Sequence, residues 1–217
     1  MPSHARQISP AAERNQTPIR ANLQRLLPAQ GRLLEIASGT GQHAVFCAAG
    51  LPGWTWQPSD PSPAALASIE AWRADQPVSG LQAPWQIDVL VEPWAMPAAD
   101  TAQFDAVFCA NMLHIAPWAC CAALMRGAAR LLTAQGLLIT YGPYLIDGVP
   151  TAPGNLAFDA DLRARNPDWG LRSVKAVAAH AGAVGLHLAS QHPMPANNLM
   201  LVFSANPAAT PAAGIHD

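Results

Sequence analysis

The chain has 217 residues, 51% of them apolar and 12% charged, with seven tryptophans and a formal net charge of −2. That is the size and composition of one large α/β domain with a substantial core, so extended disorder is not expected. The arginines are scattered, Lys175 is the sole lysine and no basic run occurs. The electrostatic footprint of a nucleic-acid binder is therefore missing.

The N-terminal ten residues show no basic-then-apolar leader, and no run reaches the ~18 to 20 apolar residues of a membrane span. We expect a cytoplasmic protein with no membrane partner. Cys47, Cys109, Cys120 and Cys121 lack zinc-type spacing, and the adjacent pair cannot readily bridge. Buried thiols and no metal are expected.

In chain order, Ile19, Leu23, Leu26 and Leu27 fall at helical spacing within 9–27, ahead of Pro28 and Gly31, predicting an amphipathic helix. An apolar run at 32–36 leads through a glycine turn to a helix at 42–49. A Trp-rich strand at 54–58, a helix at 62–74 and strands at 82–89 and 104–110 follow. This alternation predicts a parallel sheet. A helix at 118–133 and a turn at 133–136 feed Leu137–Tyr141, which reads as a buried central strand. Residues 142–170 show little periodicity and read as a functional loop or lid. A helix at 172–183, then runs at 185–191 and 199–204, predict a closing antiparallel pair. One domain over 1–204 and a flexible Ala/Pro-rich tail complete the expected organisation. Oligomeric state is not readable.

The turn Glu35-Ile36-Ala37-Ser38-Gly39-Thr40-Gly41 carries the first chemistry. Glycine lets a backbone approach a ligand closely, and Gly39 and Gly41 also fit the dinucleotide pattern G-x-G-x-x-A. An NAD-dependent oxidoreductase is therefore a competing reading. Glu35 favours S-adenosylmethionine, which carries a sulfonium and an ammonium but no phosphate to repel; the plain alternative is a surface glutamate at a strand end. Asp60, after the second strand, suits ribose hydroxyls in either cofactor class, or a helix cap. Asp88 suits an adenine amine, or begins a turn. His43, beside the loop, is a further cofactor candidate or an exposed helix residue.

Several strings then resemble a known family: SPAAERN at 9–15, LEIASGTGQHA at 34–44, WQPSD at 56–60, ANMLHIAPW at 110–118, YGPY at 141–144 and MPANNL at 194–199. Together they resemble class I methyltransferases, and more closely methyltransferase-like protein 26 and its bacterial relatives. The resemblance covers residues 9–204. It implies a Rossmann-like α/β fold with a seven-stranded, mostly parallel sheet of order 3-2-1-4-5-7-6, strand 7 antiparallel. It also implies adenosylmethionine over the ends of strands 1, 2 and 4. Ala37 stands where class I enzymes usually have glycine.

Asn111 and Met112, after the fourth strand, are candidates for holding the methionyl part. His114 is the candidate base, since imidazole titrates near neutral pH, with a structural histidine as the alternative. Asn111, Tyr141 and Tyr144 complete the candidate catalytic set. Arg14, Asn15, Asn155 and Asn197 are candidates for binding a small-molecule acceptor. Vicinal Cys120 and Cys121 read as core. A non-catalytic adenosylmethionine-binding scaffold is kept as an alternative, because no base is unambiguous.

Overall fold

The computed structural model describes residues 5–97 and 103–206. Helix α1 (Pro10–Leu26) starts on Ser9, whose hydroxyl accepts from the Ala12 N–H, with Pro10 at the first position, where its missing N–H costs nothing. Its Ile19 and Leu23 join a buried cluster with Ala44 and Ala48 of α2 (Gln42–Ala49). Between these helices runs β1 (Gly31–Ile36). The chain continues through β2 (Trp54–Pro58), α3 (Pro63–Asp75), β3 (Phe104–Ala110), α4 (Ala119–Leu131) and β4 (Leu132–Gly142). Next come β5 (Tyr144–Leu145), α5 (Pro153–Arg165), β6 (Arg172–Ser173), α6 (Val174–Gly182), β7 (His187–Met194) and β8 (Asn198–Ser204).

The main sheet has the order β2-β1-β3-β4-β8-β7, with β8 antiparallel to β4 and β7. Strand residues point alternately to its two faces. Leu34, Ile36, Val107, Cys109 and Leu138 pack with α4 and α6, while Leu33, Ala106, Phe108 and Ile139 pack with α1 and α2. Both faces of the centre are covered, which is why the central strands read as unbroken apolar runs.

Residues 82–89 depart from expectation. Instead of a continuous strand, the chain follows β2 through two isolated parallel bridges, Trp56 to Leu81 and Ser59 to Trp85. Proline is the cause: neither Pro58 nor Pro84 has an N–H to give the ladder. The Ala83 carbonyl is taken instead by the Gln57 side-chain amide at 2.7 Å. With this segment counted third, the spatial order reads 3-2-1-4-5-7-6 with the last strand in sequence antiparallel.

Two other expectations change. The predicted turn at 133–136 is extended chain inside β4, with a register break opposite Phe104–Ala106; Gly136 leaves room there for the Phe104 carbonyl. The 142–170 stretch contains the thirteen-residue helix α5. Leu162 is its one buried residue, so no apolar stripe marks it in sequence.

All four cysteines are free and buried. Among the described residues, no helix is long and apolar enough to cross a membrane, and no group of three metal-ligating side chains gathers. The expected tail lies, from residue 207, outside the described residues.

Candidate active site

Beyond β1 the chain turns through three left-handed residues, Ala37 (φ 57°), Gly39 (φ 57°) and Gly41 (φ 89°). Gly41 is fixed by packing as well as by conformation, since a Cβ there would stand 2.9 Å from the Ile69 Cα of α3. At Gly39 a Cβ would meet nothing within 4 Å. Ala37 shows that this loop accommodates an L residue at the dihedral Gly39 adopts, at a cost of about 1–2 kcal/mol. We therefore expect Gly39→Ala to lower stability by about 1 kcal/mol and Gly41→Ala, which adds a backbone collision, by roughly 3 kcal/mol. Urea unfolding measures both; equal losses would mean that α3 does not hold the loop.

Serines fasten the loop to the end of β2. The Ser38 N–H donates to the Ser59 carbonyl at 2.9 Å, the Ser59 N–H to Ser38 Oγ at 3.1 Å, and Ser59 Oγ to the Glu35 carbonyl at 2.7 Å. Asp60 accepts from the Gly39 N–H on one oxygen and from the Ser62 N–H on the other, each at 2.9 Å. Each oxygen keeps a second lone pair for a ligand. Burial holds the carboxyl above its ordinary range, against those two hydrogen bonds. The cap of α3 is Ser62, not Asp60.

Glu35 is no surface residue: it is 1% exposed, and one carboxylate oxygen accepts from Trp56 Nε1 at 2.9 Å. Burial pushes its pKa up to about 7, although hydrogen bonds from Trp56 and Ser38 favour the charged form. No cation pairs with it among the described residues. The loop thus lies over a buried carboxyl whose charge has no partner, a setting that favours a positive ligand group.

Across the sheet, Asn111 ends β3 in a left-handed conformation (φ 62°) and caps the turn Met112–His114. Its N–H donates to the Tyr141 carbonyl at 2.8 Å, and Met112 is buried in the core. His114 is 1% exposed, and neither ring nitrogen has a protein partner. Its ring meets Tyr144 edge-on with centroids 5.2 Å apart. A Cβ on Gly142 would fall 2.0 Å from His114 Nε2, so glycine is required there by proximity. Burial, reinforced by Arg172, lowers the imidazole to about 3; the ring is neutral at physiological pH. The Tyr144 hydroxyl donates to Thr140 Oγ1 at 2.9 Å and is committed there.

A second polar group joins three elements. His43, read from sequence as a cofactor candidate or an exposed helix residue, is buried beneath α1, with Nε2 at 2.6 Å from Asn15 Oδ1. Burial lowers its pKa to about 4, so the neutral ring donates to the amide oxygen. The Asn15 side chain also hydrogen-bonds the Tyr141 hydroxyl, whose pKa burial raises. A third group surrounds a cleft of ≈ 290 Å³ lined by Tyr144, Asn155 and Asn197 among others. Arg14 and Asp88 stand apart from these groups on exposed positions. Arg14 has no side-chain partner among the described residues, and Asp88 accepts from the Leu90 N–H at 2.9 Å as a turn. Cys120 and Cys121 lie in α4, with the Cys121 thiol pushed up to about 12 by burial, so it is no nucleophile at neutral pH.

Sequence reasoning missed Trp56, Ser59 and Arg172. Arg172 holds the loop after β3: Nε donates to the Leu113 carbonyl at 2.9 Å, and Nη2 to the carbonyls of Ala116 at 3.0 Å and Asp168 at 2.6 Å. Its guanidinium lies 5.1 Å from the Trp118 ring centroid.

Solved structures share this architecture at low identity. An O-methyltransferase family protein from Burkholderia thailandensis superposes with a TM-score of 0.74 at 16% identity, covering 89% of this chain and 57% of that one. An O-methyltransferase family 2 protein from Planctomyces limnophilus, complexed with apigenin, gives 0.70 at 18% identity, over 87% and 61%. NcsB1, the O-methyltransferase from neocarzinostatin biosynthesis solved with S-adenosylmethionine and 2-hydroxy-5-methyl naphthoic acid, gives 0.73 at 15%, over 90% and 55%. The chain spans little more than half of each, and the likeness establishes the class I methyltransferase fold. Residues 6–205 match the family described as "Protein of unknown function (DUF938)", and the chain belongs to that family.

Proposed function

We propose that the chain is an S-adenosylmethionine-dependent methyltransferase acting on a small-molecule acceptor. The observation that carries this is the pairing of a buried, cation-free carboxyl at Glu35 with open space over Gly39. A pyrophosphate would meet the unpaired charge of Glu35, which disfavours a dinucleotide; an ammonium and a sulfonium would be stabilised by it. When bound, adenosylmethionine supplies a methyl group already activated on sulfonium sulfur.

The described residues fit that group. The backbone of Ala37, Ser38, Gly39 and Gly41 would form its floor, with His43 behind the loop. The free lone pairs of Asp60 would receive ribose hydroxyls, and Asp88 the adenine amine at the open edge. Asn111 and Met112 would flank the methionyl end. His114 is the residue we assign to receive a hydrogen bond from the acceptor's polar group, since its neutral ring keeps an uncommitted lone pair; with its pKa lowered to about 3 it does not hold the proton, which passes to solvent. Asn111 and Tyr141 would orient the acceptor. Tyr144 acts through its packing on His114, because its hydroxyl is already engaged. Asn15, Asn155 and Asn197 belong to the acceptor side, and Arg14 at its exposed position would act only on a large acceptor.

The O-methyltransferases with this fold make oxygen the first acceptor atom to test. The shared strings support the narrower kinship with methyltransferase-like protein 26 and its bacterial relatives. Four free thiols support a cytoplasmic setting.

Calorimetric titration with adenosylhomocysteine tests the reading, and micromolar binding is expected. Folded protein that shows no heat at high micromolar ligand would overturn it. NADH affinity that persists in Glu35→Gln would return the dinucleotide alternative.

A further inference from the structure

The cleft between the start of α5 and the β7–β8 turn has no charged residue in its lining. Val149, Met194 and Leu199 supply apolar wall; Asn155, Asn197 and Asn198 supply polar groups. Asn155 Nδ2 donates to the Asn197 carbonyl at 3.0 Å, and Asn198 Nδ2 to the Pro195 carbonyl at 2.9 Å. The amide oxygens of Asn155 and Asn198 have no partner among the described residues. The Thr151 hydroxyl and the Asn197 side-chain amide, which also line the cleft, have no hydrogen bond among the described residues either, so the cleft offers a ligand both donors and acceptors, which suits a neutral hydroxyl or amine able to do both.

A charged ligand entering this cleft would lose hydration and find no counter-charge. His114, behind Tyr144, is neutral and adds none. The start of α5 offers an anion little, because Pro153 brings no N–H and those of Asn155 and Leu156 donate to the Ala152 carbonyl. The geometry is also held. Ala196 (φ 57°) and Asn197 (φ 55°) are consecutive left-handed residues, an arrangement normally left to Asn-Gly turns. That turn presents the Asn197 carbonyl to Asn155 and so ties α5 across the cleft. A volume of ≈ 290 Å³ is at the small end of ligand sites, enough for one or two rings.

We infer that this cleft receives the acceptor, and that the acceptor is an uncharged, mainly apolar molecule of one or two rings bearing a hydroxyl or an amine. The word acceptor rests on the methyltransferase reading; the preference for a neutral ligand rests on the cleft alone.

The test compares 2-naphthol with 2-naphthoate, matched in size and differing in charge, by calorimetry at about pH 7.5 with and without adenosylhomocysteine. Naphthol is expected to bind at least about tenfold more tightly than naphthoate. Asn155→Leu should weaken naphthol about fivefold or more without changing adenosylhomocysteine affinity, and Asn155→Lys should shift the preference toward naphthoate. Naphthoate binding as tightly as naphthol, neither binding, or naphthol indifferent to both Asn155 variants would overturn the inference. Adenosylhomocysteine affinity is measured separately: its absence removes the methyltransferase reading and the word acceptor with it. A reversed charge preference with adenosylhomocysteine bound removes only this inference.

Discussion

Replacing Glu35 with glutamine is expected to stabilise the ligand-free protein at about pH 8 by roughly 3 kcal/mol and to change it little at about pH 4. The carboxyl has a folded pKa of about 7, above the ordinary value it regains on unfolding. Between those two values the folded state holds a proton that the unfolded state has released, so stability falls as pH rises through this window and stays low above it. Glutamine keeps the shape and can still accept from Trp56, but has nothing to ionise. Urea unfolding at both pH values provides the measurement; an equal effect at each would show that burial of charge is not the cause. The same substitution should weaken adenosylmethionine about tenfold or more, and adenosylhomocysteine, which lacks the sulfonium charge, by less. The residue that destabilises the empty protein is the one we assign to attract the cationic cofactor, an instance of stability given up at a functional site.

Acid should undo the fold through the two buried histidines. His43 and His114 have folded pKa values of about 4 and about 3, both below the ordinary histidine value near 6.5. Below that value the unfolded chain binds protons that the folded chain refuses, so stability drops as pH falls. From about pH 7 to about pH 4.5 each histidine removes up to roughly 3 kcal/mol, while Glu35 returns about the same amount, leaving a net loss near one histidine's worth. His114→Phe should cancel most of that net loss, because His114 makes no hydrogen bond to forfeit and phenylalanine can keep the edge-on contact with Tyr144. An unchanged acid limb in His114→Phe would count against a buried neutral imidazole.

The sequence showed the parts of the fold that are apolar runs bounded by turn residues. Strands 54–58 and 104–110 and helix 42–49 are observed with those bounds, because both faces of each central strand are covered. The 82–89 strand misled because Trp85-Gln86-Ile87-Asp88-Val89 alternates as a strand should, while the prolines at 58 and 84 decide the pairing across two segments. Helix α5 was invisible because it buries one side chain. The glycine loop was legible as a ligand loop, yet nothing local indicated that Glu35 is buried. Its partner Trp56 stands 21 positions away, and only the pairing of β1 with β2 brings them together. The burial of His43 could not be read locally because its cover, Asn15 on α1, is a tertiary contact. Arg172 left no mark at all, since its partners are backbone carbonyls, which every residue possesses.

The irregular segment beside β2 has a bearing on how copies of the protein meet. An open sheet edge invites a strand from another molecule to continue it. On this side the invitation is withdrawn: the outermost segment meets β2 at only two isolated bridges, and its Pro84 has no N–H to donate. Restoring a donor at position 84 would turn a finished border into an adhesive one.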